Sequence, residues 1–527
     1  MFGVTGPGAD PAQQQIPAGV NFRPHIAGLS MNKITRRSLL AGAGAVAGAG
    51  IYGYWDRQTI PAGLAFPDPQ ARETGTILND ASLLNPTPVA RHLTLSEAPE
   101  GKLLTALRAE LSDAHSAGRA FSASAARHSM GGQSLPRDGT VVTFEQSALE
   151  ADTTAGTFRA AAGVRWSQVI AELDKIGFSP KVMQSNNDFG VASTFAVNAH
   201  GWPVPHSAFG STVRSIRLMR ADGEVITCSR TENADQFSLA MGGYGLNGII
   251  LDLEVEMVKN QLLEPAFELV SGAEFGPKFA ATLAADPSIS MAYGRLDVTI
   301  DGFFDKALMI TYRPAADQAD LPPASGSGFM SKVSRDIFRA QLGSDRAKRR
   351  RWFIETQLGP RVSAGGVTRN SLINEPVATL DDGDPARTDI LHEYFVAPSR
   401  FHEFIAACQD VIPSSYQELL NITLRYVATD TDSVLTYATE PRIAAVMLFS
   451  QEISVRGEAD MARMTQALIE RTLEIGGAYY LPYRLHASDA QFQRGYKRAA
   501  EFAERKRLAD PGLVFRNALW DRYMAKL

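Results

Sequence analysis

The chain has 527 residues, with 52 Lys and Arg against 57 Asp and Glu, which gives a net charge of −5. This mild acidity argues against general nucleic-acid binding, for which a basic stripe is expected. Hydrophobic residues make up 45% and charged residues 21%, which is ordinary globular usage and excludes wholesale disorder. Only Cys228 and Cys408 are present, too few for a disulfide framework or a thiolate metal cluster. One bridge between them remains open, but their local settings look like buried strand and helix positions, so we expect two buried, unpaired cysteines and no metal site.

The N-terminal residues predict two segments that precede the folded chain. Residues 1–30 are rich in Pro, Gln and Gly, which indicates a disordered extension. Residues 31–59 begin at Met31, the start we expect, and contain Arg36-Arg37 before a weakly apolar Ala- and Gly-rich run. This pattern is similar to a twin-arginine export leader, and the alternative is a chance Arg pair before a helix. Export would make the protein periplasmic or envelope-associated, with the leader either removed or kept as an anchor.

The first half of the folded chain mixes helix and strand patterns. Residues 60–96 are punctuated by proline and predict irregular structure. Leucines at helical spacing predict a helix over 97–117, and a second helix is expected over 167–176 with Gly177 as its cap. Ala221-Asp222-Gly223 is a strong hairpin turn. Strands are predicted at 119–124, at 140–144 with a hairpin-like return at 157–162, and at 213–220, 224–229 and 249–258.

The second half alternates longer strands with helices. Helices are predicted at 400–411, 457–475 and 489–508, and loops at 315–332 and 379–388. A basic cluster falls on a helix-like stretch, where it indicates a solvated face, or a contact for an anionic substrate or a membrane surface. Its members are Arg346, Lys348, Arg349, Arg350 and Arg351.

Three loops rich in small residues lie close together in sequence, at 129–134, 188–201 and 241–248. Such loops expose backbone N–H groups and let the main chain approach a pyrophosphate closely. None of them has the spacing of a Rossmann or Walker motif. Together they predict a large cofactor held between two small subdomains.

At these loops the sequence resembles the vanillyl-alcohol oxidase family. Arg127–Ser134 resembles the family's His-Ser loop, Gly190–Gly201 its second phosphate-facing loop and Gly242–Ile250 its third. Asp510–Asn517 resembles the closing segment of the alditol, aldonolactone and decaprenylphosphoryl-ribose oxidases of this family. Two departures are Arg127, where the family usually has Gly before the His, and Ala192-Ser193, where it usually has a Gly pair.

The resemblance implies an α+β fold with a two-subdomain PCMH-type FAD-binding domain and an α+β substrate domain. The FAD-binding domain would cover residues 60–258, the substrate domain 259–450, and a C-terminal segment at 451–527 would return to the flavin. Within the substrate domain, His392–Val396 resembles a family strand. The resemblance is good over about residues 79–258 and patchy elsewhere.

The resemblance also implies which residues hold FAD. They are the matching positions of the three loops and the closing segment: Arg127, His128, Ser129, Met130, Gly131, Gly132, Gln133, Ser193, Thr194, Asn198, His200, Gly201, Gly243, Gly245, Gly248, Ile249 and Asn517. His128 matches the His that many relatives bond covalently to the flavin, while other relatives hold FAD without a bond, and both remain open. No Cys lies in 180–200, which excludes a second, cysteinyl link. His200 either contacts the cofactor or caps its loop.

Candidate catalytic residues follow from similarity to the alditol-type oxidases. Arg425 matches an Arg that faces the flavin and could stabilise developing negative charge, or it is an exposed strand residue. Arg484 lies near the position of a family Lys, with a loose local match. Tyr483 either hydrogen-bonds the substrate hydroxyl or packs.

The resemblance implies an FAD-dependent oxidase or dehydrogenase that acts on a CH–OH group. Its substrate would be a polyol, sugar, aldonolactone or lipid-linked sugar, with oxygen or another electron acceptor. The alternative is a catalytically degenerate flavin-binding envelope protein that acts as a ligand-binding or assembly factor, which the departures at Arg127 and Ala192-Ser193 keep open. No nucleic-acid partner is expected.

The leader assignment yields a direct prediction. Arg36→Lys together with Arg37→Lys should trap the protein in the cytoplasm, because the export machinery is expected to read the guanidinium pair and not charge alone. Cell fractionation followed by immunoblotting measures this. A double mutant that is exported like the parent would show that the Arg pair is not an export signal.

Overall fold

The structure, a computed structural model, describes residues 77–326, 336–362, 366–376 and 384–527. All of them belong to one compact unit, Tyr52–Leu527. The predicted extension and leader lie outside the described residues. Within the described part of the chain, no helix is long and apolar enough to cross a membrane.

The strands carry the architecture and are numbered here in chain order. They are β1 Ile77–Leu78, β2 Thr87–Pro88, β3 Arg91–Leu95, β4 Phe121–Ser124, β5 Thr140–Phe144, β6 Leu149–Asp152, β7 Thr157–Ala161, β8 Phe178–Pro180, β9 Val213–Met219, β10 Val225–Ser229, β11 Ile249–Lys259, β12 Leu262–Ser271, β13 Met291–Leu296, β14 Lys306–Pro314, β15 Val367–Thr368, β16 Arg387–Val396, β17 Glu418–Val427, β18 Arg442–Glu452 and β19 Ala478–Tyr479.

The α-helices connect and cover these strands. They include Gly101–Ser116, Trp166–Lys175, Val191–Ala196, Ala234–Ala240, Phe275–Ala285, Asp345–Phe353, Gly359–Val362, Arg369–Leu372, Phe401–Val411, Val455–Glu474, Asp489–Gly495 and Ala499–Ala509. The helices predicted over 97–117, 167–176, 400–411 and 457–475 are confirmed within a few residues at each end.

The N-terminal half is built on two sheets that pack around one core. A parallel sheet has the order β3-β5-β4, and a mainly antiparallel sheet has the order β10-β9-β11-β7-β6, with β8 also pairing with β11. The predicted hairpin is confirmed, since β9 and β10 pair antiparallel across Ala221-Asp222-Gly223. Both cysteines are buried and free, as expected.

An eight-stranded antiparallel sheet dominates the C-terminal half, in the order β15-β12-β14-β13-β17-β18-β16-β19. One face carries Leu296, Leu424 and Met447, and it is buried under the helices Phe275–Ala285, Phe401–Val411 and Val455–Glu474 in one hydrophobic core. The sheet includes β19 and the end of β18, so it continues past residue 450, where the substrate domain was predicted to end.

The prediction that strand 157–162 returns as a hairpin beside strand 140–144 is wrong. β5 pairs in parallel with β3 and β4, whereas β7 pairs with β6 and β11 in the other sheet. The reason is a separate tight turn between β6 and β7. The Asp152 carboxylate accepts the backbone N–H groups of Thr154 and Ala155, and Gly156 takes a φ of +67°.

Three other predictions need correction. Residues 91–95 form strand β3 instead of irregular structure, because they pair with β5. Arg387 and Thr388 belong to β16 and not to a loop. The helix predicted over 489–508 is two helices separated around Tyr496, which is buried and donates its hydroxyl to the Tyr479 carbonyl.

Candidate functional site

The second face of the eight-stranded sheet carries a polar row. Arg295 on β13 lies opposite Thr423 on β17, Thr423 lies opposite Val446 on β18, and Val446 lies opposite Glu393 on β16. Directly paired residues of antiparallel strands point to the same face, and so do residues two apart on one strand. Arg425 therefore shares this face with Arg295 and Glu393. This face lies opposite the helix-covered one.

The loop Gln184–Trp202 docks on this polar face. Arg425 donates one N–H to the His200 carbonyl at 3.1 Å and another to the Ser185 hydroxyl at 2.8 Å. The indole of Trp202 stacks on the ring of Tyr293, with 4.4 Å between their centres. These contacts attach the second small-residue loop directly to the sheet.

A buried pair, His200 and Glu393, lies where this loop meets the sheet. His200 Nε2 hydrogen-bonds Glu393 Oε1, and the two side chains are only 3% and 2% exposed. The second oxygen of Glu393 accepts the hydroxyl of Tyr483 at 3.1 Å. Burial, and then the charge of Glu393, raises the pKa of Tyr483 well above its ordinary value, so Tyr483 is a protonated phenol that can relay a proton.

Arg425 is held next to this group as a fixed cation. Burial lowers the pKa of Arg425, and Glu393 and Tyr483 oppose that shift. Arg side chains stay protonated in proteins, so the charge persists. The structure therefore brings together the predicted residues Arg425, Tyr483 and His200, and adds Glu393.

The first loop accommodates its departure from the family pattern. Arg127 takes a φ of +50°, the left-handed conformation for which Gly is the default residue. Its guanidinium turns away and donates to the Thr143 hydroxyl at 3.1 Å. The neighbouring His128 ring packs on Phe189, with 4.2 Å between centres, and its Nε2 lies 3.9 Å from Asp188 Oδ2.

His128 is held mainly in the neutral form. Burial lowers the pKa of His128, Arg165 reinforces this effect, and Asp188 opposes it. The side chain is 25% exposed, so the ring is partly accessible. Ser129 beside it is half-buried. A neutral, partly exposed imidazole is what a covalent bond to a cofactor requires.

The rest of the first loop is tied to the C-terminal segment. A Cβ on Gly131 would lie 2.5 Å from the Tyr483 carbonyl oxygen. Gly is therefore needed there because the backbone at Tyr483 passes so close. Met130 N–H donates to the Pro482 carbonyl at 2.7 Å, and Gly132 N–H to Asp80 at 2.8 Å. Gln133 donates to the carbonyls of Leu481 and Tyr483.

Most predicted residues of the second loop likewise make contacts with other parts of the protein. Ser193 is half-buried in the short helix Val191–Ala196, and the hydroxyl of Thr194 accepts from the Trp166 indole at 2.8 Å. Asn198 is buried and bonds Asp430 and the Gly210 N–H. A Cβ on Gly201 would lie 1.9 Å from the Met183 carbonyl oxygen.

The third loop meets the closing segment through Asn517. Its amide donates to the carbonyls of Gln133 at 2.6 Å and Tyr244 at 3.0 Å, so Asn517 joins the first and third loops. The remaining predicted residues of this loop form the turn into β11: Gly243, Gly245, Gly248 and Ile249.

Arg484 does not join the polar face. Its guanidinium bonds Glu458, and donates to Asn85 Oδ1 at 2.8 Å and the Met130 carbonyl at 3.3 Å. Burial opposes ionisation of Glu458, but His486 and Arg484 outweigh it and lower the Glu458 pKa to about 2. Arg484 therefore anchors the first loop.

Several buried polar side-chain atoms at the contact between residues 184–202 and the sheet lack a hydrogen-bond partner among the described residues. In the described part of the chain, such atoms without a hydrogen-bond partner include Nε2 of Gln184, Nδ1 of His200, Nε1 of Trp202, Nε of Arg425 and Oγ of Ser134. An unsatisfied buried polar atom typically costs about 1–3 kcal/mol. Four of these atoms, on Gln184, His200, Trp202 and Arg425, belong to this contact, where a bound molecule would supply the missing partners.

Sequence reasoning missed Glu393, Ser185, Trp202 and Arg295 as site residues. The available signal was Glu393 itself. It is a carboxylate beside three apolar residues, Tyr394, Phe395 and Val396, that are buried in β16. A charge in such a strand is rarely buried without a partner.

Comparison with known proteins identifies part of the chain. Residues 104–229 match a family model described as an FAD binding domain. The chain is 32% identical over 207 residues to cytokinin dehydrogenase 8 of Oryza sativa, covering 36% of this chain and 37% of that protein. It is 29% identical over 120 residues to L-gulonolactone oxidase of Mus musculus, covering 23% and 27%. It is 31% identical over 134 residues to alditol oxidase of a Streptomyces species, covering 25% and 30%.

These matches span a minority of each relative. The first relatives are matched over 21% to 37% of their own lengths. They support the assignment of the cofactor-binding region. The role of the polar sheet face is inferred from its own residues.

The position of Arg484 predicts a structural effect. Arg484→Ala should lower the free energy of unfolding by about 2 kcal/mol, since it removes charge-assisted hydrogen bonds to partly buried acceptors. The contribution of Glu458 is complete above its unfolded pKa of 4.5 and is lost as pH falls towards 2, because its folded pKa is depressed. The variant should therefore lose less stability than the parent as pH falls from 4.5 towards 2, so that the difference between the two proteins shrinks. Urea unfolding at several pH values measures both effects.

Arg425→Ala is the matched comparison. It should slow flavin reduction by about 100-fold or more, as expected when a preorganised charge is lost, while Arg484→Ala changes that rate only slightly. A large rate loss in Arg484→Ala with unchanged stability would reverse the two assignments.

Proposed function

Because residues 104–229 form an FAD-binding domain, we propose that the chain is an FAD-dependent oxidoreductase acting on a CH–OH group. The substrate class is a polyol, sugar, aldonolactone or lipid-linked sugar, with oxygen or another electron acceptor as co-substrate. The names of two relatives, L-gulonolactone oxidase and alditol oxidase, support this class. The observation that carries the proposal is a pair of hydrogen bonds on the polar face, in which Glu393 bonds Tyr483 through one oxygen and His200 through the other.

Oxidation of CH–OH requires removal of the hydroxyl proton as the C–H bond breaks. The Tyr483 hydroxyl donates to Glu393, which leaves its oxygen lone pairs able to accept a substrate hydroxyl. The substrate proton passes to the Tyr483 oxygen, the Tyr483 proton passes to Glu393, and the carbon–oxygen bond becomes a carbonyl. Bound FAD supplies the acceptor for the hydride that leaves the same carbon.

His200 and Arg425 position this pair. His200 hydrogen-bonds the Glu393 oxygen that Tyr483 does not use, which fixes the orientation of the carboxylate. The Arg425 charge stabilises the negative charge that develops as the hydroxyl proton leaves. His200 and Glu393 are buried, and Tyr483 and Arg425 are half-buried, so these interactions are stronger than in water.

The residues that would hold FAD are the partly exposed His128 and Ser129, the second loop, and Arg425, which contacts that loop. Asn198, Gly131 and Asn517 would act on FAD binding indirectly, by fixing the conformation of the loops.

We also propose that the protein leaves the cytoplasm by the twin-arginine route. Support comes from Arg36-Arg37 and the Ala- and Gly-rich run after them, which lie outside the described residues. That route carries folded proteins, which suits a chain that receives its cofactor before export.

The proton relay gives the main functional prediction. Tyr483→Phe and Glu393→Gln should each slow anaerobic flavin reduction about 100-fold, because each interrupts proton removal. Stopped-flow absorbance with a panel of alditols and aldonolactones, together with their phosphorylated and carboxylated counterparts, measures the rate. Tyr416→Phe is the matched control, since Tyr416 packs against Arg456. If no compound of the panel reduces the parent's bound flavin, the degenerate flavin-binding alternative is favoured.

The match of His128 to the His that many relatives bond to the flavin gives a second prediction, that His128 bonds the flavin covalently. Acid precipitation of the parent should keep yellow cofactor in the pellet, and His128→Ala should release it to the supernatant. His402→Ala, which changes a His that is 59% exposed, is the control. If the parent itself releases all its flavin, the bond does not exist, while FAD binding still stands.

A further inference from the structure

Arg295 lies on the polar face but has no part in the proton relay. Its guanidinium hydrogen-bonds the Thr423 hydroxyl and lies 5.3 Å from the centre of the Tyr293 ring. The residue is half-buried. Among the described residues it forms no ion pair, so its remaining N–H donors have no carboxylate partner.

Two further guanidinium groups lie close to Arg295. Arg351 is held by Glu355 at 2.8 Å, by the Leu420 carbonyl at 2.8 Å and by Asn421 Oδ1 at 2.9 Å. Burial is the main cause that lowers the pKa of both Arg351 and Arg425, and the charge of Arg295 lowers both further. Contacts link the three groups: Arg295 bonds Thr423, and Arg351 bonds Asn421, which itself donates to the Thr423 hydroxyl at 3.3 Å. Arg425 lies two residues beyond Thr423 on β17, on the same face.

The nearby carboxylates do not balance these three cations. Glu355 is paired with Arg351, and Glu393 is hydrogen-bonded to His200 and Tyr483. Collecting like charges in a partly desolvated place is unfavourable unless an anion joins them. The planar fork of Arg matches carboxylate and phosphate oxygens with two parallel hydrogen bonds.

We propose that Arg295, flanked by Arg351 and Arg425, is a subsite for an anionic group, a phosphate or a carboxylate, on the substrate. This inference rests on the proposed oxidation for the identity of the molecule that carries the anion. It narrows the substrate to an acidic polyol or sugar.

The register of the sheet places this subsite away from the reacting hydroxyl. Arg295 and Glu393 lie three strands apart, and a strand spacing of about 4.8 Å puts their backbones roughly 14 Å apart. Arg425 lies on the strand next to Arg295 and shares this face. The anionic group and the oxidised carbon therefore lie at opposite ends of the bound molecule, which also fixes which hydroxyl is oxidised.

The test is binding of small anions to the FAD-loaded protein, without turnover. Inorganic phosphate and acetate are titrated by calorimetry at constant ionic strength, with chloride as the reference anion. The parent should bind at least one of them, and Arg295→Gln should weaken that binding about 10- to 100-fold, the loss expected for charge-assisted hydrogen bonds. Arg313→Gln is the matched control, because Arg313 on β14 pairs with Asp286 and should leave binding unchanged.

The two anions distinguish the two chemical sources. Tighter binding of phosphate that depends on Arg295 indicates a phosphorylated substrate, and tighter binding of acetate indicates an acidic sugar. Binding of neither above chloride, or equal binding in the parent and Arg295→Gln, overturns the subsite. Because this readout needs no oxidation, Arg295-dependent binding in a protein that no polyol reduces would leave the subsite standing and reject the proposed reaction instead.

Discussion

The rest of the structure depends on one buried contact, the hydrogen bond between His200 and Glu393. It joins the second small-residue loop of the FAD-binding region to the polar face of the eight-stranded sheet, and both side chains are almost fully buried. A carboxylate in this position would be very costly without partners. Here it has His200 on one oxygen and Tyr483 on the other, with Arg425 nearby. The same partners that make the charge tolerable also orient it for proton transfer.

The small residues of the loops act largely through the protein itself. Gly131 and Gly201 are required because other backbone segments pass within contact distance, and Asn517 joins two loops by its amide. A rigid scaffold of this kind presents its few free polar groups in fixed directions, which is what preorganised binding and catalysis require. Arg127 shows the same logic, since its backbone adopts the conformation of the missing Gly while its side chain binds Thr143.

Local sequence patterns predicted the elements well but not how they meet. The hairpin at Ala221-Asp222-Gly223 and the leucine-spaced first helix depend on nearby residues, and both are confirmed. The predicted hairpin between 140–144 and 157–162 was wrong because β5 pairs in parallel with β3 and β4, which local patterns do not reveal. Glu393 and Arg295 escaped notice for a similar reason. Their chemistry comes from facing residues about 190 and 130 positions away in sequence, a juxtaposition that only the sheet register reveals.

The central claim is that substrate oxidation takes place where residues 184–202 meet the polar sheet face. The most direct measurement is a crystal structure of the FAD-loaded protein. The account predicts that the flavin ring contacts His200 or Arg425, with Tyr483 still bonded to Glu393. A flavin ring bound away from all of these residues would contradict the account.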